Sequence, residues 1–92
     1  MGHGSTKVSI GSYVSVLGKY FSEEVMLPVL GENWKMKRLF GFITRESISA
    51  CRAKVFVIKF PEHLELPDQW VCSSNVKLEK QPREAVTEGR PS

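Results

Sequence analysis

The side chains best suited to nucleophilic or metal chemistry are few: Cys51, Cys72, His3 and His63. The two thiols are far apart and share no C-x-x-C spacing, so with one histidine near the start and one in a loop they make no tetrahedral zinc site. Two cysteines are also too few for the disulfide scaffold of a small secreted domain, which points to a reducing, intracellular setting. His63 stands beside Glu62 and Glu65, yet no serine or cysteine motif of known mechanics accompanies it. Catalysis needs a nucleophile, a base and an orienting group in one cleft, and that set is missing. The chain reads as a binding protein without catalytic residues, metal or cofactor.

Binding chemistry is better represented. Between Trp34 and Lys54 stand Lys35, Lys37, Arg38, Arg45, Arg52 and Lys54, against Glu46 alone. From Glu62 to Asp68 the sign reverses, with Glu62, Glu65 and Asp68 and no cation among them. The first stretch attracts phosphates and the second a basic partner. Charges on solvated strand edges, where they discourage edge-to-edge pairing, are the plainer alternative.

These residues must be positioned by one small domain. Ninety-two residues with 41% hydrophobic content and a net charge of +3 leave room for a single modest core. No apolar run reaches the roughly 20 residues a spanning helix needs, so no membrane partner is expected. Residues 1–9 are small and polar, and read as a disordered tail or a cloning remnant. Residues 81–92, with two prolines, a glycine and mixed charges, read as a second disordered tail. That leaves a domain over 10–80, which suits a module of a larger parent protein.

Within it the pattern is mainly β. Tyr13, Val14, Val16 and Leu17 are strand formers between Gly11-Ser12 and Gly18. Residues 22–33 predict a long first loop carrying one helical turn, because Ser22-Glu23-Glu24 can start a helix and Pro28 stops any helix within two turns. Its Val25, Met26 and Leu27 are expected to cap one end of the core. A second strand is predicted from Trp34 to Arg45, with Gly41 marking a bulge or sharp bend, and a third from Ala53 to Phe60. Pro61 to Pro67 forms an acidic loop. Gln69 to Cys72 and Val76 to Leu78 are short fourth and fifth strands, joined by a tight turn at Ser73-Ser74-Asn75. The expected fold is all-β: a strongly bent five-stranded barrel filled by its own side chains. An OB-fold usually carries a helix between its third and fourth strands, and residues 61–67 are too short and proline-bounded for one.

From Gly11 to Leu78 the sequence resembles the Tudor-like branch of SH3-like barrels. The similarity is carried by Gly11-Ser-Tyr-Val-Ser-Val16, Trp34, Gly41-Phe-Ile43, Val55-Phe-Val-Ile-Lys-Phe60, Trp70 and Val76-Lys-Leu78. It implies a reader module, chromatin-associated and nuclear, that takes a basic or methylated peptide such as a histone tail in an aromatic cage. Mapped by position, Tyr20, Phe21, Trp34, Phe60 and Trp70 would supply rings, and Glu62 or Asp68 the selecting carboxylate. The sequence departs from that pattern at Lys35, where a second aromatic often follows the tryptophan, and at Pro61. Phe60 shares parity with Phe56 and Ile58, which suits a core position, and Trp34 and Trp70 could instead seal the barrel ends. A second expectation is DNA or RNA binding through the cationic hairpin Lys35–Lys54. A third is docking within a larger assembly through Val25, Met26, Leu27 and Leu30.

Overall fold

The computed structural model describes residues 8–81. Most of both expected tails, residues 1–7 and 82–92, lies outside the described residues. Five strands make up most of the fold: β1 (Tyr13–Leu17), β2 (Arg38–Ile48), β3 (Lys54–Lys59), β4 (Trp70–Cys72) and β5 (Val76–Leu78). All pairings are antiparallel, in the order β4-β3-β2-β1-β5, and the sheet curls into a half-barrel with one helix, α1 (Glu23–Leu30).

Period-two alternation sorts the side chains. Val14 and Val16 of β1, Leu39 and Ile43 of β2, Phe56 and Ile58 of β3 and Val71 of β4 face inward and form the core with Met26, Trp34 and Phe60. Gly41 lies on this inner face because β3 leaves no room for a side chain there. A Cβ at Gly41 would collide with the Lys59 carbonyl and reach Ile58 Cγ2 at 2.9 Å.

Four expectations need correction. Residues 22–33 contain a two-turn helix where a loop with one turn was expected. Pro28 sits inside α1, removing one amide hydrogen bond, and the helix survives because Met26 is fully buried in the core while Val25 and Leu30 pack against it. Trp34 does not open the second strand. Trp34 to Met36 form a 3₁₀ turn, with the Lys37 amide donating to the Trp34 carbonyl, and β2 starts at Arg38. The turn packs so closely on Gly18 that a side chain there would strike the Trp34 carbonyl.

At its other end β2 runs past Arg45 to Ile48, through residues expected to form a polar connection. Glu46, Ser47 and Ile48 pair with Phe56, Val55 and Lys54, and the Lys54 ammonium lies 3.8 Å from the Glu46 carboxylate. Beyond Ile43 this part of β2 has no β1 residue beside it. Its residues are exposed, so no apolar alternation marks it as strand. Finally, the ladder irregularity falls between Ile43 and Arg45 rather than at Gly41, and the Thr44 hydroxyl donates to the Val57 carbonyl there.

Gly41→Ala is expected to lower stability by about 2 kcal/mol or more, because the obstacle is rigid backbone. Urea unfolding measures it, and an unchanged midpoint would contradict the close approach of β2 and β3.

Candidate binding face

The residues that alternate with the core form the outer face of the sheet. In register across β5, β1, β2 and β3, Lys77 lies beside Ser15, Ser15 beside Phe40, Tyr13 beside Phe42 and Phe42 beside Lys59. Three rings therefore meet at the centre of this face. Tyr13 and Phe40 stack with centroids 6.2 Å apart and planes 22° from parallel, and Tyr13 and Phe42 lie 5.0 Å apart at 51°. Phe40 remains 43% exposed, and Tyr13 and Phe42 are half-buried. Such a group is worth explaining, since rings that close could have been buried instead.

Cations border the rings. Arg38 precedes Phe40 by two residues on the same face of β2, Lys59 flanks on β3, and Lys77 flanks on β5. Arg45 and Trp70 extend the same face, both in register with Val57. Val57 is buried although it points outward, between these two neighbours, and Trp70 is itself 49% exposed. Among the described residues the one ion pair is Lys54–Glu46, so the cations of this face carry no paired carboxylate.

Of the rings assigned to a cage, the structure brings two together. Phe21 meets Phe60 edge-on at 6.1 Å and 84°, and the Ser22 amide donates to the Gln69 side-chain oxygen at 3.5 Å. The first loop thus reaches the β3–β4 connection. Phe60 belongs to the core, however, and Phe21 packs against it. Trp34 is also in the core at 6% exposure, with the Lys35 ammonium 5.6 Å from its ring. Tyr20 is exposed and carries the Lys19 ammonium at 5.3 Å. Trp70 is on the outer sheet face. Glu62, in a 3₁₀ turn over Pro61–His63, and Asp68 are both exposed.

The cations assigned to the hairpin divide in the same way. Arg38 and Arg45 reach the outer face. Lys54 pairs with Glu46, and Arg52 sits in the turn beyond β2 with a positive φ of 63°. Lys35 and Lys37 belong to the 3₁₀ turn and the residue after it, ahead of β2. The apolar set on α1 turns inward, with Met26 buried, Val25 and Leu30 half-buried and Leu27 exposed.

Sequence reasoning missed Tyr13, Phe40, Phe42, Lys59 and Lys77 as surface residues. The available signal was parity. Arg38, Phe40 and Phe42 alternate with Leu39, Gly41 and Ile43, so the rings share a face with a charge while the aliphatic residues take the other. Among the described residues no three His, Cys, Asp or Glu side chains gather as a metal-ligand set. Cys51 is exposed and Cys72 half-buried, both as free thiols. A hydrogen bond with the Ser74 hydroxyl, then one with the Ser74 backbone, holds the Cys72 thiol below its usual pKa.

Comparison with protein-family models, with curated proteins and with solved structures gives no match.

Two outcomes follow from this geometry. In Trp70→Phe the remaining Trp34 emits at short wavelength and resists acrylamide quenching; in Trp34→Phe the remaining Trp70 is quenched readily. Equal quenching of both would contradict the burial of Trp34. In Ser74→Ala the midpoint for alkylation of Cys72 moves to higher pH, since the thiolate loses its principal hydrogen-bond partner. Alkylation rates followed from pH 6 to 10 measure it, and no shift would contradict the Ser74 contact.

Proposed function

We propose that this chain is a non-catalytic binding module of the SH3-like, Tudor-like barrel type, and that its ligand is single-stranded nucleic acid laid across the outer face of β1 and β2. The barrel reading is supported by the strand order, in which β1 pairs with both β2 and β5, and by the single 3₁₀ turn, Ser73–Asn75, that carries β4 into β5. The ligand reading rests on one observation: the Tyr13–Phe40–Phe42 ring group bordered by Arg38, Lys59 and Lys77, with Arg45 further along.

Bases present a π-face whatever their sequence, and stacking on an aromatic side chain contributes about 1–3 kcal/mol per base. Cations at the borders of the rings suit the phosphates on either side of a stacked base. A duplex hides its base faces, so this face favours a single strand. Three phosphate contacts, from Arg45, Lys59 and Lys77, would give a salt slope of roughly −2, or an affinity loss of about 20-fold between 50 and 200 mM salt.

A nuclear reader of a basic or methylated peptide is the second reading. It is favoured by the meeting of the first loop with the β3–β4 connection, where Phe21 touches Phe60 and the acidic residues Glu62 and Asp68 lie nearby in sequence. It would have to work with Tyr20 and Phe21 alone among the proposed rings of that end, since Trp34 and Phe60 are buried.

Fluorescence anisotropy with labelled octamers of thymidylate and uridylate tests the proposal. Binding should weaken steeply with salt. Phe40→Ala should cost about tenfold or more in affinity, and Lys35→Ala, off this face, less than about twofold. Salt-independent binding, or full affinity in Phe40→Ala, would overturn it. A methylated histone peptide that perturbs Tyr20 and Phe21, with no octamer bound, would establish the peptide reading instead.

A further inference from the structure

Ser15 is fully buried although it points to the outer face, and it is the one polar side chain in that position among the described residues. Its hydroxyl is satisfied on both sides. It donates to the Glu79 carboxylate at 2.6 Å and accepts from an Arg38 terminal nitrogen at 2.8 Å. Ser15 also lies directly opposite Phe40 in the β1–β2 register. The hydrogen bond therefore holds the Arg38 guanidinium at Ser15, the residue paired with Phe40 across the ladder. Glu79 acts on Arg38 through the serine, with no direct ion pair between them.

Resting on the nucleic-acid reading, we infer that the face selects guanine, with Arg38 reading the base and Ser15 and Glu79 as its positioning residues. A base stacked on Phe40 has its edge beside the guanidinium. Arginine presents a rigid planar fork of five donors, and only one of Arg38's is spent on Ser15 among the described contacts. Guanine offers two adjacent acceptors, O6 and N7, that match two parallel donors. Adenine replaces one of them with a donor, thymine and uracil set an N–H between their two carbonyl oxygens, and cytosine offers an adjacent pair, O2 and N3, only on its Watson–Crick edge next to the sugar. Lys59 and Lys77, one strand outward on each side of the rings, remain for phosphates. Holding the fork in advance reduces what ordering Arg38 costs on binding.

The test compares an oligothymidylate octamer with the same octamer carrying one central guanine, adenine or cytosine, and repeats the series in RNA on a uridylate background. Guanine is expected to raise affinity about tenfold in both series, adenine less than about twofold, and cytosine less than guanine. Arg38→Lys keeps the charge, so it should preserve the salt slope and the oligothymidylate affinity while abolishing the guanine gain. Ser15→Ala should remove most of the gain, and Glu79→Gln, whose amide oxygen still accepts from Ser15, should retain it. Equal affinity for all four bases, or a guanine gain that survives Arg38→Lys, overturns this inference and leaves the parent reading intact. No binding to any octamer overturns both.

Discussion

The register of β1 against β2 decides what this protein has to offer. With Tyr13 opposite Phe42 and Val16 opposite Leu39, Val14, Val16, Leu39 and Ile43 enter the core while Tyr13, Phe40 and Phe42 are left on the surface. A slip of one residue would exchange the two sets, burying the rings and exposing the aliphatic side chains. Gly41 helps fix the alignment, because β3 approaches so closely there that no side chain fits. Ser15 fixes it from the other side, since its buried hydroxyl is satisfied only while Arg38 and Glu79 stand where they do. The ring-bearing face and the core are thus two consequences of one alignment.

The charge distribution follows from the same division. The net charge of +3 is modest, but Arg38, Arg45, Lys59 and Lys77 all fall on the face that carries the rings. Glu79, the nearby carboxylate, is held by Ser15. Glu62, Glu65 and Asp68 belong to the segment between β3 and β4. On the proposed reading, a polyanion would be drawn to the ring-bearing face by these charges and held there by ring contacts that need no charge at all. Attraction and stacking respond differently to salt, which makes the two contributions separable.

Much of the fold was legible in the sequence, for reasons that can be given residue by residue. β1 and β3 announce themselves through β-branched and aromatic runs closed by Gly18 and Pro61, and the Ser73–Asn75 turn marks where β4 gives way to β5. The helix was hidden by Pro28, because its stability comes from Met26 in the core, a tertiary contact that local propensity does not record. The distal part of β2 was hidden for the opposite reason: both of its faces meet solvent, so it has no apolar rhythm. On the proposed face, Arg38 and Arg45 carry over from the expected nucleic-acid contacts, whereas Trp70 is expected from the sequence as a ring of the peptide cage. Trp34 reads from the sequence either as a cage ring or as a seal on the barrel end, and the 3₁₀ turn directs it into the core. The ring group itself was missed because Phe40 and Phe42 look like core residues until the small Gly41 between them is recognised as facing inward.

The central claim is that a single strand of nucleic acid lies on the outer face of β1 and β2. Its most direct test is a chemical-shift map recorded during titration with a thymidylate octamer. The account predicts perturbations concentrated at Tyr13, Ser15, Arg38, Phe40, Phe42, Lys59 and Lys77, with α1 unaffected. Perturbations confined to Tyr20, Phe21 and residues 61–69, or none at saturating oligonucleotide, would contradict it.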